Sequence, residues 1–99
     1  MNSIKNQVKD REIRIGTDAT ASVHEDGIVI LHIRKGCLFS SNRTGAWIWR
    51  CIEERLPFEA IAEKLSSEYQ IARTIARKHA TRFLLELESH SLIEWGVES

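Results

Sequence analysis

The sequence predicts an α+β domain of the winged helix-turn-helix type: a three-stranded antiparallel sheet followed by three helices. Three observations carry this. Asp26-Gly27 and Lys35-Gly36 punctuate a strand-rich first half with residue pairs suited to reversing the chain. Asn42 stands where the last strand-like run gives way to a helical pattern, and Asn is among the best helix N-caps. Beyond it, apolar residues recur at helical spacing as far as Leu87, interrupted only near Pro57 and around Tyr69 and Ile71.

Met1 to Arg11 is polar and mixed in charge, and reads as a flexible terminus ahead of a single domain over 12–99. Glu12–Ile15 could form a short strand, but its length gives that little support. Ala19–His24 and Ile28–Arg34 flank the Asp26-Gly27 turn as a hairpin, whose turn residues tolerate positive φ. Val29, Leu31 and Ile33 face one way, and Ile28, Ile30 and His32 the other. Such a run marks a strand covered on both faces, or at least the centre of a small sheet. Lys35-Gly36 returns the chain into Cys37–Ser41, which is then an edge strand.

The first helix runs from about Arg43 to Glu54, with Trp47, Ile48, Cys51 and Ile52 as its apolar stripe. Pro57 suits the first turn of the second helix, where its missing N–H costs nothing. Phe58, Ile61, Ala62 and Leu65 give that helix its stripe. The third helix spans about Arg73 to Ser89, with no good cap before Ala72. Ile75, Ala76, His79, Ala80, Phe83, Leu84 and Leu87 form its broad apolar face. Leu92, Ile93 and Trp95 read as an apolar tail packed back on the body.

Ninety-nine residues make one small domain, and a formal net charge of zero argues against a dedicated nucleic-acid binder. No run approaches the roughly 20 apolar residues a membrane span requires. With no signal-peptide pattern either, the expected location is the cytoplasm. Cys37 and Cys51 lie outside any CxxC pattern and read as two small buried hydrophobes in a reducing compartment. His24, His32, His79 and His90 have no metal-ligand spacing, and no cofactor is expected. No nucleophile–base pair, paired carboxylates or phosphate loop is recognisable, so no residue is assigned a catalytic role.

From Val23 to Ile93 the chain resembles the PqqD-like family, whose fold is also called the RiPP recognition element (RiPP: ribosomally made and modified peptide). The match is carried by Gly36, Phe39-Ser40, Asn42, Gly45, Ile48-Trp49, Phe58-Glu59, Ile61 and Leu65. Tyr69, Ile71, Phe83-Leu84, Leu87 and Leu92-Ile93 complete it. Ser41, His79 and Ser91 depart from the family's usual Leu, Asp and Gly. The resemblance implies a module that is not an enzyme. It would bind the leader segment of a precursor peptide by β-strand addition. It would then present the peptide to a separate enzyme, a radical S-adenosylmethionine maturase or the leader peptidase of a lasso-peptide pathway.

On that reading Cys37, Leu38, Phe39 and Ser40 supply the edge and the pocket wall. Ala80 and Leu84 would lie beside an apolar leader side chain. Arg73 and Arg77, one turn apart, would flank the groove and meet leader carboxylates, against the plainer reading of a solvated basic flank. Leu85 and Thr81 would line an accessory contact. One of Trp47 and Trp49 belongs to the core. Because open edges invite exchange, a weak or domain-swapped homodimer is also entertained. The competing function is a winged-helix DNA-binding regulator using Arg73, Arg77, Lys78 and Arg82. Neutral charge and an apolar groove count against it.

Overall fold

The computed structural model describes residues 12–96; the segment expected to be a flexible terminus, 1–11, lies outside them. In chain order come β1 (Glu12–Ile15), β2 (Ala19–His24), β3 (Gly27–His32) and β4 (Cys37–Asn42). Then follow α1 (Arg43–Glu53), α2 (Phe58–Tyr69), α3 (Arg73–Ser89) and β5 (Ile93–Gly96). β2, β3 and β4 form an antiparallel sheet in that order, so β4 is an edge as expected. Its register pairs Leu31 with Leu38, Ile30 with Phe39 and Ile28 with Ser41.

The turns are built differently from the expectation. His24 pairs with Gly27, so the β2–β3 loop is Glu25-Asp26, and Gly27 is not among the positive-φ residues. Glycine is needed there for space: a Cβ would run into the Ser41 carbonyl oxygen across the sheet. Gly36 does use its freedom, at φ 67°, and its N–H bonds the His32 carbonyl at 2.8 Å. Buried His32 also accepts the Lys35 N–H on Nδ1 at 3.2 Å, which tightens the same connection.

A second sheet was not foreseen. β1 pairs antiparallel with β5, Ile13 opposite Trp95 and Ile15 opposite Ile93. The apolar tail is therefore a strand, and the doubtful strand at Glu12–Ile15 is its partner. Neither is long enough to declare itself, because each depends on a mate at the far end of the chain.

Asn42 caps α1 as predicted, its Oδ1 accepting the Gly45 N–H at 3.0 Å. Gly45 sits where a side chain would strike Ser41 and the Phe83 ring, so α1 begins hard against α3. The α1 stripe is rotated from the expected one. Trp49 is buried with Ile48, Cys51 and Ile52, while Trp47 is half-buried and meets Tyr69 edge-on at 6.0 Å. Trp49 remains satisfied in the core because its indole N–H donates to Glu53 Oε2 at 3.1 Å. Pro57 is the N-cap of α2 rather than part of its first turn. Gln70, in the left-handed region at φ 53°, stops that helix. α3 starts without a side-chain cap at Ala72. One core joins the sheet's inner face to all three helices, with Ile28, Ile30, Ile48, Ile61, Leu65, Ala80, Leu84 and Leu87 almost fully buried. Among the described residues no helix is long and apolar enough to cross a membrane.

Candidate functional site

The site is set by how β4 alternates. Leu38 and Ser40 point outward and are exposed, whereas Phe39 and Ser41 turn toward α3 and are half-buried. Phe39 packs on Phe83 (ring centroids 6.2 Å apart) and on His90 (5.0 Å). Backbone polarity alternates as well. The two-residue loop makes His24 and Gly27 a hydrogen-bonded pair, so Ile28, Ile30 and His32 direct their polar groups to β4. Leu38 and Ser40, which face non-bonded partners on β3, therefore hold their N–H and C=O groups toward the open side.

Between this edge and α3 runs a groove. Its larger hollow, about 520 Å³, has an apolar floor of Ile48, Leu65, Ile71 and Phe83. Asn42, Tyr69, His79, Arg82 and Glu86 stand around it. A smaller hollow of about 150 Å³ continues beside Cys37, Phe39, His90 and Leu92. A wider depression of about 670 Å³ lies along the exposed side of α3 at Thr74, Arg77, Lys78, Thr81 and Leu85, and His79 and Arg82 stand between it and the groove, lining both.

The α3 residues anticipated for the groove divide three ways. Ala80 and Leu84 are completely buried, so they support the floor from beneath and cannot touch a ligand directly. Thr81 and Leu85 are on the outer side. Arg73 and Arg77 turn to α2: Arg73 pairs with Glu63 at 3.6 Å, and Arg77 pairs with Glu59 at 2.5 Å while lying over the Phe58 ring. This corrects the expectation that their flank borders the groove. They stand about 120–180° around the helix from His79 and Glu86, at about 100° per residue.

The residues that do border it, His79, Arg82, Phe83 and Glu86, follow an i, i+3, i+4, i+7 pattern. That pattern was visible, but His79 was absorbed into the apolar stripe and Arg82 entered only as a nucleic-acid contact of the DNA-binding alternative. Among the described residues Arg82 forms no ion pair. No group of His, Cys, Asp and Glu among the described residues could hold a metal ion.

The two thiols also part company. Cys51 is buried, and that burial raises its pKa, with Lys64 opposing and Glu54 adding to the shift. Cys37, expected to be buried, is exposed at the groove. Only thiolate reacts readily. Iodoacetamide should therefore label Cys37 and spare Cys51 in the folded protein, as read by mass spectrometry. Equal labelling of both would show that α1 opens readily.

The fold and the groove define a class: a winged-helix domain whose sheet edge, unpaired among the described residues, is set against its third helix. The chain belongs to the PqqD family, since the model for coenzyme PQQ synthesis protein D matches residues 27–93. Two solved structures are similar. One, TbiB1 in complex with the TbiA(beta) leader peptide, is 27% identical, with a TM-score of 0.77 over 82% of this chain and 94% of that one. The other, a lasso peptide synthetase B1 complexed with the leader peptide, is 24% identical, with a TM-score of 0.76 over 84% and 98%; it supports the fold alone. No curated protein matches the chain significantly.

Proposed function

We propose that this protein binds the leader segment of a ribosomally made precursor peptide as an added strand on β4. It would then deliver that peptide to a separate modifying enzyme or leader peptidase. The observation that carries the reading is the open edge at Leu38 and Ser40 above an aromatic-floored groove. Strand addition draws affinity from backbone hydrogen bonds and selectivity from side-chain pockets. The relative TbiB1, solved with a leader peptide, supports it. The DNA-binding alternative gains nothing, because Arg73 and Arg77 are engaged with carboxylates of α2.

In this reading a leader side chain enters beside Phe39 and Phe83. Full burial of an apolar side chain contributes on the order of 1.5–3 kcal/mol. An acidic leader residue would meet Arg82, adding roughly 0.2–1 kcal/mol while the pair stays exposed. Calorimetry with the leader of the cognate precursor tests both parts. Binding should be salt-tolerant in its main part. Arg82→Glu should weaken it by about 2- to 5-fold, and less at high salt. Arg77→Glu should leave it unchanged. The reverse order would return the contact to the α2 side, and no binding by the parent would refute the function.

A further inference from the structure

α3 has a second face that the core leaves open. Ala76, Ala80, Phe83, Leu84 and Leu87 are its buried residues. Ile75 belongs to the apolar face expected of this helix, yet it is 45% exposed, and Leu85 is 55% exposed. A single exposed apolar residue is ordinary. These two differ because of what lies between them. They stand ten residues apart, about 15 Å along the helix, and the depression of about 670 Å³ joins them. Lys78 and Arg82 stand within it, and none of the residues lining it is acidic. The whole chain carries 14 basic and 14 acidic residues, so this face departs locally from a balanced surface. Arg77 reaches it but is engaged by Glu59. Lys78 and Arg82 form no ion pair among the described residues. Two apolar positions bracketing unopposed cations suit a ligand of the reverse pattern, carboxylates between apolar side chains.

We propose that this face is a second site for the precursor peptide, taking an acidic segment with apolar neighbours that lies just beyond the strand added at β4. The inference rests on the leader reading above. Continuity decides the occupant, because His79 and Arg82 line both the groove and the depression. The placement of β4 against α3 gives the direction. The Cys37 end of β4 lies by Ser89 and His90, and the Asn42 end lies by His79, Arg82 and Phe83. α3 starts at Arg73, so about two of its turns extend past the Asn42 end of the edge. A peptide leaving the edge there crosses His79 and meets Ile75 and Lys78 next. A peptide leaving at the Cys37 end meets His90 and Leu92 instead. One flank of the leader therefore reaches the second site and the other does not. Both segments belong to one peptide, so the second contact forms intramolecularly and adds affinity even if it is weak by itself.

The test is calorimetry on the full chain with three peptides: the leader segment that pairs with β4, and that segment extended at one end or at the other as in the cognate precursor. One extension should tighten binding by about tenfold or more, and the other should change it by less than about twofold. High salt should shrink the gain while the unextended segment still binds. Replacing the Asp and Glu of the tightening flank by Asn and Gln should cancel it. Lys78→Glu and Leu85→Glu should bind the unextended segment within about twofold of the parent, since neither residue lines the groove. Both should lose the gain. Equal affinity for all three peptides, or an undiminished gain in both variants, would overturn the second site while leaving the leader reading intact. Failure of the parent to bind any of the three would remove both. Lys78 and Leu85 are exposed, so both variants should fold; if circular dichroism shows that one does not, the other carries the test.

Discussion

Replacing Leu38 and Ser40 together by proline is expected to abolish measurable leader binding while the domain stays folded. Each substitution removes an N–H from the open side of β4 and puts ring carbons where the leader backbone must approach. Two lost backbone hydrogen bonds account for about 1–3 kcal/mol, and the ring bulk adds to this, so affinity should fall well over tenfold. The fold should tolerate the change because proline is accepted on edge strands when its nitrogen faces solvent. Both side chains are also exposed. The measurement is calorimetry alongside circular dichroism. A folded double variant that binds like the parent would place the leader elsewhere, and the outer hollow along Thr81 and Leu85 would become the next candidate.

The second large effect is on stability. Trp49→Ala should come close to unfolding the domain, whereas Trp47→Ala should not. Trp49 is 1% exposed and fills the contact between α1 and the rest of the core. Truncating such a residue costs roughly 3–5 kcal/mol, out of about 5–15 for a whole domain. At about 4–8 °C per kcal/mol for a domain of this size, the melting temperature should drop by at least about 12 °C. Trp47 is half-buried, and its aromatic contact with Tyr69 contributes about 0.5–1.5 kcal/mol beyond area burial. Thermal melts of the two variants decide the matter: equal losses would mean that the α1 register described above is incorrect.

What the sequence made legible followed local rules. The Asn42 cap, the Gly36 turn, the edge position of β4 and the limits of α3 all depend on neighbouring residues, and all are found in the structure. What it hid was decided at a distance. β1 and β5 are four-residue strands that make sense only as a pair. Trp47 and Trp49 are two positions apart on one helix, and only the placement of α1 against the sheet and α3 chose between them. The groove shows the same division. That Phe39 and Leu38 face opposite ways was legible because alternation along a strand is local. Arg77 was misplaced because the deciding partner, Glu59, belongs to another helix. Glu86 was passed over, and Arg82 assigned only to a nucleic-acid surface, because a charged residue beside an apolar stripe gives no sign of which neighbouring element it overlooks.

The pairing of β1 with β5 bears on how the domain could be joined to other chains. Glu12 lies opposite Gly96, so the backbone enters and leaves the body through adjacent strands. Domains whose ends meet in this way can be spliced into a surface loop of a larger protein without stretching either connection. The same geometry permits circular permutation, with Glu12 and Gly96 bridged by a short flexible linker and new ends opened at the exposed Glu25-Asp26 turn. A permutant of that kind would leave the β3–β4 connection and the open side of β4 untouched. The domain is thus suited to insertion into a surface loop of a larger protein with its β4 edge still open.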